Sequence, residues 1–250
     1  MTFDLSGKAV LVTGAGKGLG RTYALALAAA GANIAVADID LESAKRTAGE
    51  IDAGGSRALA IGADVSDEAS AREMAESAGA TFGRIDALVN NAGIYPLRPF
   101  EEIDLEEWNR VLAVNLTGSF LCARAVLPAM RAQGKGKIVN VSSTTVFRPI
   151  SNLSHYIASK MGIVGLTRAL AVELGKYNIS VNAVAPGLTR AEDLPGVQPS
   201  GVVQRIISEQ CFERQERPAD LVGTMLFLVS GHSDFITGQT LSVDGGWTVH

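Results

Sequence analysis

Tyr156 and Lys160 stand four residues apart in Tyr156-Ile157-Ala158-Ser159-Lys160, a spacing that puts both side chains on one helix face. A phenol with a pKa of about 10 is a poor base at neutral pH. An ammonium beside it stabilises the phenolate and lowers that value, so the pair has the make-up of a proton-transfer group. A tyrosine that only anchors a helix to a core has the same spacing. A second candidate is Thr13-Gly14-Ala15-Gly16-Lys17-Gly18-Leu19-Gly20, which follows the apolar run Lys8–Val12 and precedes an alanine-rich stretch from Arg21 to Ala30. Glycines let backbone approach a pyrophosphate, and the following helix start offers N–H groups and a positive dipole end. A turn serving only tight packing is the alternative. The third is Asp38, 18 residues past Gly20 at the end of the apolar run Asn33–Ala37. That is near the spacing of a carboxylate that binds the adenosine ribose 2′-hydroxyl and repels a 2′-phosphate. Asp38 or Asp40 could instead cap the next helix. Ile39 follows where an NADP site often has arginine, whereas Lys17 could meet a 2′-phosphate; the carboxylate outweighs one flexible lysine and favours NAD.

These groups need a scaffold, and the chain alternates strand and helix throughout. Strands are expected at Lys8–Val12, Asn33–Ala37, Arg57–Ile61, Ile85–Val89, Lys137–Val141, Ile179–Ala183 and Thr240–Val243. Helices are expected over Leu41–Ile51, from a cap at Ser66 or Asp67 to Phe82, over Leu105–Arg131, from the Tyr156 region to Gly175, and over Leu221–Val229. Asp104 and Glu107 have capping-box spacing, and Pro128 predicts a kink or early stop. Pro186–Glu216 is weakly periodic and reads as irregular. Such alternation implies right-handed crossovers: one doubly wound, Rossmann-like α/β domain over 1–250, a seven-stranded parallel sheet with helices on both faces. Ligands of such sheets bind at the carboxyl ends of the strands. There lie Gly14–Gly20, Asp38, Asp64, Asn90–Gly93, Ser142 and Ser143, and Pro186-Gly187.

Composition narrows the function. The 250 residues carry 22 basic and 26 acidic side chains, a net charge of -4. No basic run concentrates charge, which argues against nucleic-acid and anionic-membrane partners. The start lacks a charged segment followed by an apolar one, so no signal peptide is expected. No apolar run approaches the roughly 18 residues of a membrane span. Cys122 and Cys211 read as buried or half-buried thiols, and no Cys/His spacing suits a metal. A protein of the cytoplasm is expected.

Taken together, Thr13-Gly14-x-x-x-Gly18-x-Gly20, Asp64, Asn90-Asn91-Ala92-Gly93, Asn115, Ser143, Tyr156-x-x-x-Lys160 and Pro186-Gly187 resemble the short-chain dehydrogenases/reductases over essentially the whole chain. Within that family, residues 91–97 and Phe235–Gly246 are similar to NAD-dependent secondary-alcohol dehydrogenases, such as those acting on 1-phenylethanol. Two other activities are in range: NADPH-linked reduction of 3-oxoacyl thioesters, and sugar or polyol oxidation. The resemblance implies that Tyr156 is the general acid/base and that Lys160 lowers its pKa and holds the nicotinamide ribose. It implies that Ser143, 13 residues before Tyr156, bonds the substrate oxygen in preference to Ser142. Asn115 would hold a water linking Lys160 to solvent. The cofactor contacts it implies are Gly14, Lys17, Gly18, Leu19, Gly20, Asp38, Ile39, Asp64, Val65, Asn91, Ala92, Gly93, Tyr156, Lys160, Pro186, Gly187 and Thr189.

The family's usual threonine after Pro-Gly is replaced by Ala191, and Thr189 is the substitute. Residues of about 188–216 would form a substrate lid. Arg98 and Arg148 lie on loops expected to face a small alcohol or ketone substrate; they are either solvated or ligands for an anionic or polyhydroxylated one. The resemblance also implies a homotetramer, with interfaces on the helices around 105–131 and 155–175.

Overall fold

The computed structural model describes residues 3–190 and 200–249. Seven parallel strands form one sheet: β1 Ala9–Thr13, β2 Asn33–Asp38, β3 Ala58–Gly62, β4 Ala87–Asn90, β5 Gly136–Val141, β6 Ile179–Pro186 and β7 Thr240–Val243. Their order is β3-β2-β1-β4-β5-β6-β7. Eight α-helices accompany them among the described residues: α1 Gly18–Ala29, α2 Leu41–Ala53, α3 Glu68–Phe82, α4 Leu105–Leu112, α5 Gly118–Gln133, α6 Ser154–Leu174, α7 Ser200–Glu209 and α8 Pro218–Val229.

The period-two geometry of a strand divides the core. Val10 and Val12 of β1 pack on one face with Ile34, Val36, Leu27 of α1 and Met225 of α8. Leu11, between them, faces the opposite layer with Leu88, Ile138, Met74 of α3 and Val126 of α5. Both faces are therefore covered, as a parallel sheet requires. Aspartates start the helices on the site's edge. Asp40, Asp67 and Asp104 each accept the backbone N–H three residues on, from Ser43, Ser70 and Glu107.

The fold corrects several expectations. Helix and strand ends shift by one to three residues, as end effects do. The long helix expected over Leu105–Arg131 is broken by a π-helical segment, Ala113–Thr117, and passes through Pro128 to Gln133. Proline removes one hydrogen bond, while its fixed φ suits a helix already formed. The run Leu105–Gln133, with mean hydropathy 1.5 in its most apolar window, is long and apolar enough to cross a membrane. Asn115 and Arg124 interrupt it, so it contains no unbroken apolar stretch of that length. Here 44% of that window is buried against the rest of the protein. The irregular stretch expected over Pro186–Glu216 contains α7, whose Ile206 is buried. Residues 191–199, including Ala191 and part of the expected lid, lie outside the described residues. Cys122 is buried, but Cys211 is exposed.

Candidate active site

The sheet reverses its strand order at β1, so the carboxyl ends of β1 and β4 bound a crevice. Its floor is laced together by Thr13 and Asn91. Thr13 Oγ1 accepts the N–H groups of Asn91 and Ala92, both at 3.1 Å. Asn91 Nδ2 donates to the carbonyls of Thr13 and Gly14, both at 3.0 Å. The glycine loop is bare because its neighbours leave no room. A Cβ on Gly14 would lie 2.8 Å from Ala92 Cα, and one on Gly20 2.0 Å from the Gly14 carbonyl. Gly14 also needs φ of +62°, which L side chains disfavour. The α1 N-cap is Lys17, exposed and making no side-chain cap, and the first turn carries no acidic residue. This positive helix end, reached over bare backbone, fits an anionic pyrophosphate.

The α2 cap that the sequence left open between Asp38 and Asp40 falls to Asp40. Asp38, buried at the end of β2, accepts the Gly16 N–H at 2.9 Å and the Asp40 N–H at 3.0 Å, one on each oxygen. Each oxygen keeps acceptor capacity. Ile39, 75% exposed, stands beside it. Asp64 turns the chain into α3 by accepting the Ser66 N–H and hydroxyl at 2.9 and 2.6 Å. Val65 packs where a Cβ on Gly118 would touch it at 2.9 Å.

The chemical groups gather where α6 begins. Lys160 is buried; its Nζ lies 5.7 Å from the Tyr156 ring centroid and donates to the Val141 carbonyl at 2.7 Å. Ser142 donates to the Lys160 carbonyl at 3.0 Å, so it is committed to α6. The Ser143 hydroxyl lies close enough to the phenol to pull its pKa down. Thr145 fixes that hydroxyl through its own hydroxyl and N–H, at 2.9 and 3.2 Å. Asn115 is fully buried in the π-helical segment. Its amide is bonded to both polar groups of Ile94, at 2.8 and 2.9 Å, and to Ser159 Oγ at 3.0 Å. Gly93 lies across from it: a Cβ there would be 3.3 Å from Asn115 Oδ1 and 3.5 Å from Lys160 Nζ.

The electrostatics overturn one expectation. The spacing predicted a phenol acidified by lysine. Burial instead pushes Tyr156 up to about 12, against a smaller downward pull from the Ser143 hydrogen bond. Burial likewise pushes Lys160 down to about 8. Burial disfavours the charged form of each group, which raises a phenol and lowers an amine.

Both arginines offered as substrate ligands are paired with carboxylates. Arg98 forms two bonds to Glu107, at 3.2 and 3.1 Å. Arg148 meets Glu209 at 2.9 Å and stacks over Trp247 at 5.2 Å. Tyr95, not singled out from sequence, packs edge-on against Tyr156 at 6.1 Å between centroids. The motif Asn91-Ala92-Gly93-Ile94-Tyr95 placed it near the strand end, but not on the Tyr156 ring.

Glu216 was also missed. Its carboxylate is buried under the Pro186-Gly187 turn, close to Thr189 and Gly187, and neither oxygen has a sound hydrogen bond among the described residues. A Cβ on Gly187 would come within 2.7 Å of it. Only the packing of β6 against the segment before α8 buries this residue, so no local signal marks it. Burial raises its pKa from 4.5 to about 8, with smaller contributions from Asp220 and Asp244. The folded state therefore binds the extra proton between those values, and stability falls as pH rises through that window. Glu216→Gln, neutral at every pH, is expected to gain roughly 1–3 kcal/mol over the wild type at pH 8.5, shrinking toward zero at pH 5. Urea denaturation at the two pH values measures this; an unchanged difference would contradict it.

A sequence profile described as enoyl-(acyl carrier protein) reductase matches residues 14–248. The chain is 40% identical to the short chain dehydrogenase/reductase astE of Aspergillus oryzae, over 98% of this chain and 96% of that one. It is 38% identical to a sorbitol dehydrogenase of Cereibacter sphaeroides, over 97% and 98%. Among solved structures it superimposes on a 7α-hydroxysteroid dehydrogenase complexed with NADH and 7-oxo glycochenodeoxycholic acid. The TM-score is 0.94 at 32% identity, covering 98% of this chain and 96% of that one.

Proposed function

This chain belongs to the short-chain dehydrogenase/reductase family, whose oxidoreductases use nicotinamide cofactors, and on that premise we propose that it interconverts a neutral secondary alcohol and its ketone with NAD. The observation that carries the reading is the cluster of Ser143, Tyr156 and Lys160 beside the glycine crevice. NAD, when bound, accepts or supplies the hydride.

The side chains of this protein do the rest. Ser143 donates to the substrate oxygen and orients it. Tyr156 takes the hydroxyl proton of the alcohol, or returns one to the ketone. Lys160 holds the ribose hydroxyls next to the phenol. Tyr156, held protonated by burial, would become more acidic beside the positive charge of a bound NAD⁺. Asn115 keeps the loop and α6 together and holds the water path to Lys160. Gly14, Lys17, Gly18, Leu19 and Gly20 cradle the pyrophosphate; Asp38 and Ile39 take the adenosine ribose; Asp64 and Val65 border the adenine. Asn91, Ala92, Gly93, Pro186, Gly187 and Thr189 line the nicotinamide half.

NAD over NADP rests on Asp38, and a neutral substrate on the pairing of Arg98 and Arg148 with glutamates. A polyol reading is favoured by the sorbitol dehydrogenase relative. Further parts of the proposal are one domain over 1–250 with a lid at about 188–216, a cytoplasmic location and a homotetramer. Exposed Leu105, Phe120, Met161 and Val172 on the interface helices support the last. A panel of secondary alcohols, polyols, hydroxy acids and 3-oxoacyl thioesters, assayed with both cofactors, tests the reading. NADH formation from neutral alcohols at alkaline pH is expected. Turnover confined to thioesters with NADPH would overturn it.

A further inference from the structure

We propose that Arg98, Glu107 and His155 form a relay that positions Tyr156 and ties it to the wall carrying Tyr95. The proposal rests on the reading of Tyr156 as the proton-transfer group. His155 is fully buried, one residue before Tyr156. Its Nδ1 accepts the Tyr156 backbone N–H at 2.9 Å. An amide can only donate, so Nδ1 is bare and the proton sits on Nε2. Nε2 lies 3.3 Å from Glu107 Oε1 and donates to it. Glu107 is in turn clamped by Arg98 through two bonds.

Each link does a job that nothing else nearby does. Tyr156 is the third residue of α6, so its N–H is one of the donors that a helix start leaves without an intrahelical partner. The N-cap, Leu153, has no side-chain acceptor for it. The imidazole is therefore the cap, and it acts on the residue that carries the chemistry. The loop from Gly93 to Arg98 is held at both ends. Asn115 grips Ile94 at one end. At the other, Arg98 is fixed by Glu107, and its N–H donates to the Asn152 carbonyl at 2.9 Å. Tyr95 lies between these anchors, edge-on to Tyr156. One buried imidazole thus joins the backbone of the proton-transfer residue to the loop that shapes the substrate space.

His155→Asn and His155→Gln separate the two ring nitrogens. Asparagine places an amide oxygen near Nδ1 and lacks the arm to Glu107; glutamine places an amide nitrogen near Nε2 and lacks the cap. Two readouts apply. In His155→Gln, amide hydrogen exchange at Tyr156 is expected to speed up about 10-fold or more as the cap opens. The kcat is expected to fall about 10- to 100-fold, since small misplacements of a reacting group have such effects. NADH Kd should stay within about 2-fold, because the crevice is untouched. His155→Asn should restore slow exchange and most of kcat. Arg98→Ala, at an exposed position, should lower kcat with unchanged NADH affinity. Equal behaviour of the Asn and Gln variants, or unchanged Tyr156 exchange in His155→Gln, would overturn the relay. The exchange readout needs no turnover, so a failed activity reading is told apart from a failed relay.

Discussion

Tyr156→Phe is expected to lower kcat by about 10²–10⁴-fold, the range contributed by a positioned acid/base group. The substitution keeps the ring that packs against Tyr95 and lies beside Lys160, and removes only the hydroxyl. The lost oxygen is the one beside Ser143. Lys160 does not replace it, because its Nζ is directed to the Val141 carbonyl at 2.7 Å. NADH affinity is expected to change by less than about 3-fold, since the pyrophosphate and adenosine contacts lie across the crevice. Steady-state kinetics and a fluorescence titration with NADH measure the two quantities. A variant with near-normal kcat would remove Tyr156 from the chemistry.

The pH profile has a defined sign. Burial holds the phenol protonated, up to about 12, and alcohol oxidation needs it deprotonated. The oxidation rate therefore rises with pH until the phenolate is populated, and the ketone-reduction rate falls over the same range.

Asp38→Ala is expected to lower the ratio of NADPH to NADH dissociation constants by about 10- to 100-fold, roughly 1.4–2.8 kcal/mol of discrimination. In the folded protein this carboxylate is not free to swing away. Two backbone N–H groups hold it, from Gly16 and Asp40. A fixed, buried anion meets a 2′-phosphate with repulsion that little water screens. Removing it leaves exposed Lys17 as the cation nearest on the glycine loop. The same change releases the Gly16 N–H, so NADH affinity itself should fall. Asp38→Asn, which retains an acceptor for one of the two amides, separates loop positioning from charge. Isothermal titration with both cofactors gives the ratio, and an unchanged ratio in both variants would assign cofactor choice elsewhere.

The sequence by itself determined the features that depend on neighbours along the chain. Period-two apolar runs such as Val10-Leu11-Val12 specify a strand with two buried faces, and the split of the core between those faces follows. Asp104 three residues before Glu107 caps a helix by local geometry. The Gly14–Gly20 loop is readable because a positive φ and close backbone approach restrict which residues fit. Tyr156 and Lys160 share a face because a helix turns every 3.6 residues.

The tertiary structure decided everything that depends on which groups meet and how much water remains. Asp38 and Asp40 could each cap α2 by spacing, and adjacent Ser142 and Ser143 have the same chemistry; the Gly16 amide and the Lys160 carbonyl show where Asp38 and Ser142 are committed. Arg98 and Arg148 are basic residues on loops until the fold brings Glu107 and Glu209 to them. The acidity of Tyr156 depends on packing in the same way. Spacing shows that an ammonium is near, but only packing shows that Lys160 is buried and Tyr156 half-buried. Burial raises the phenol and lowers the amine.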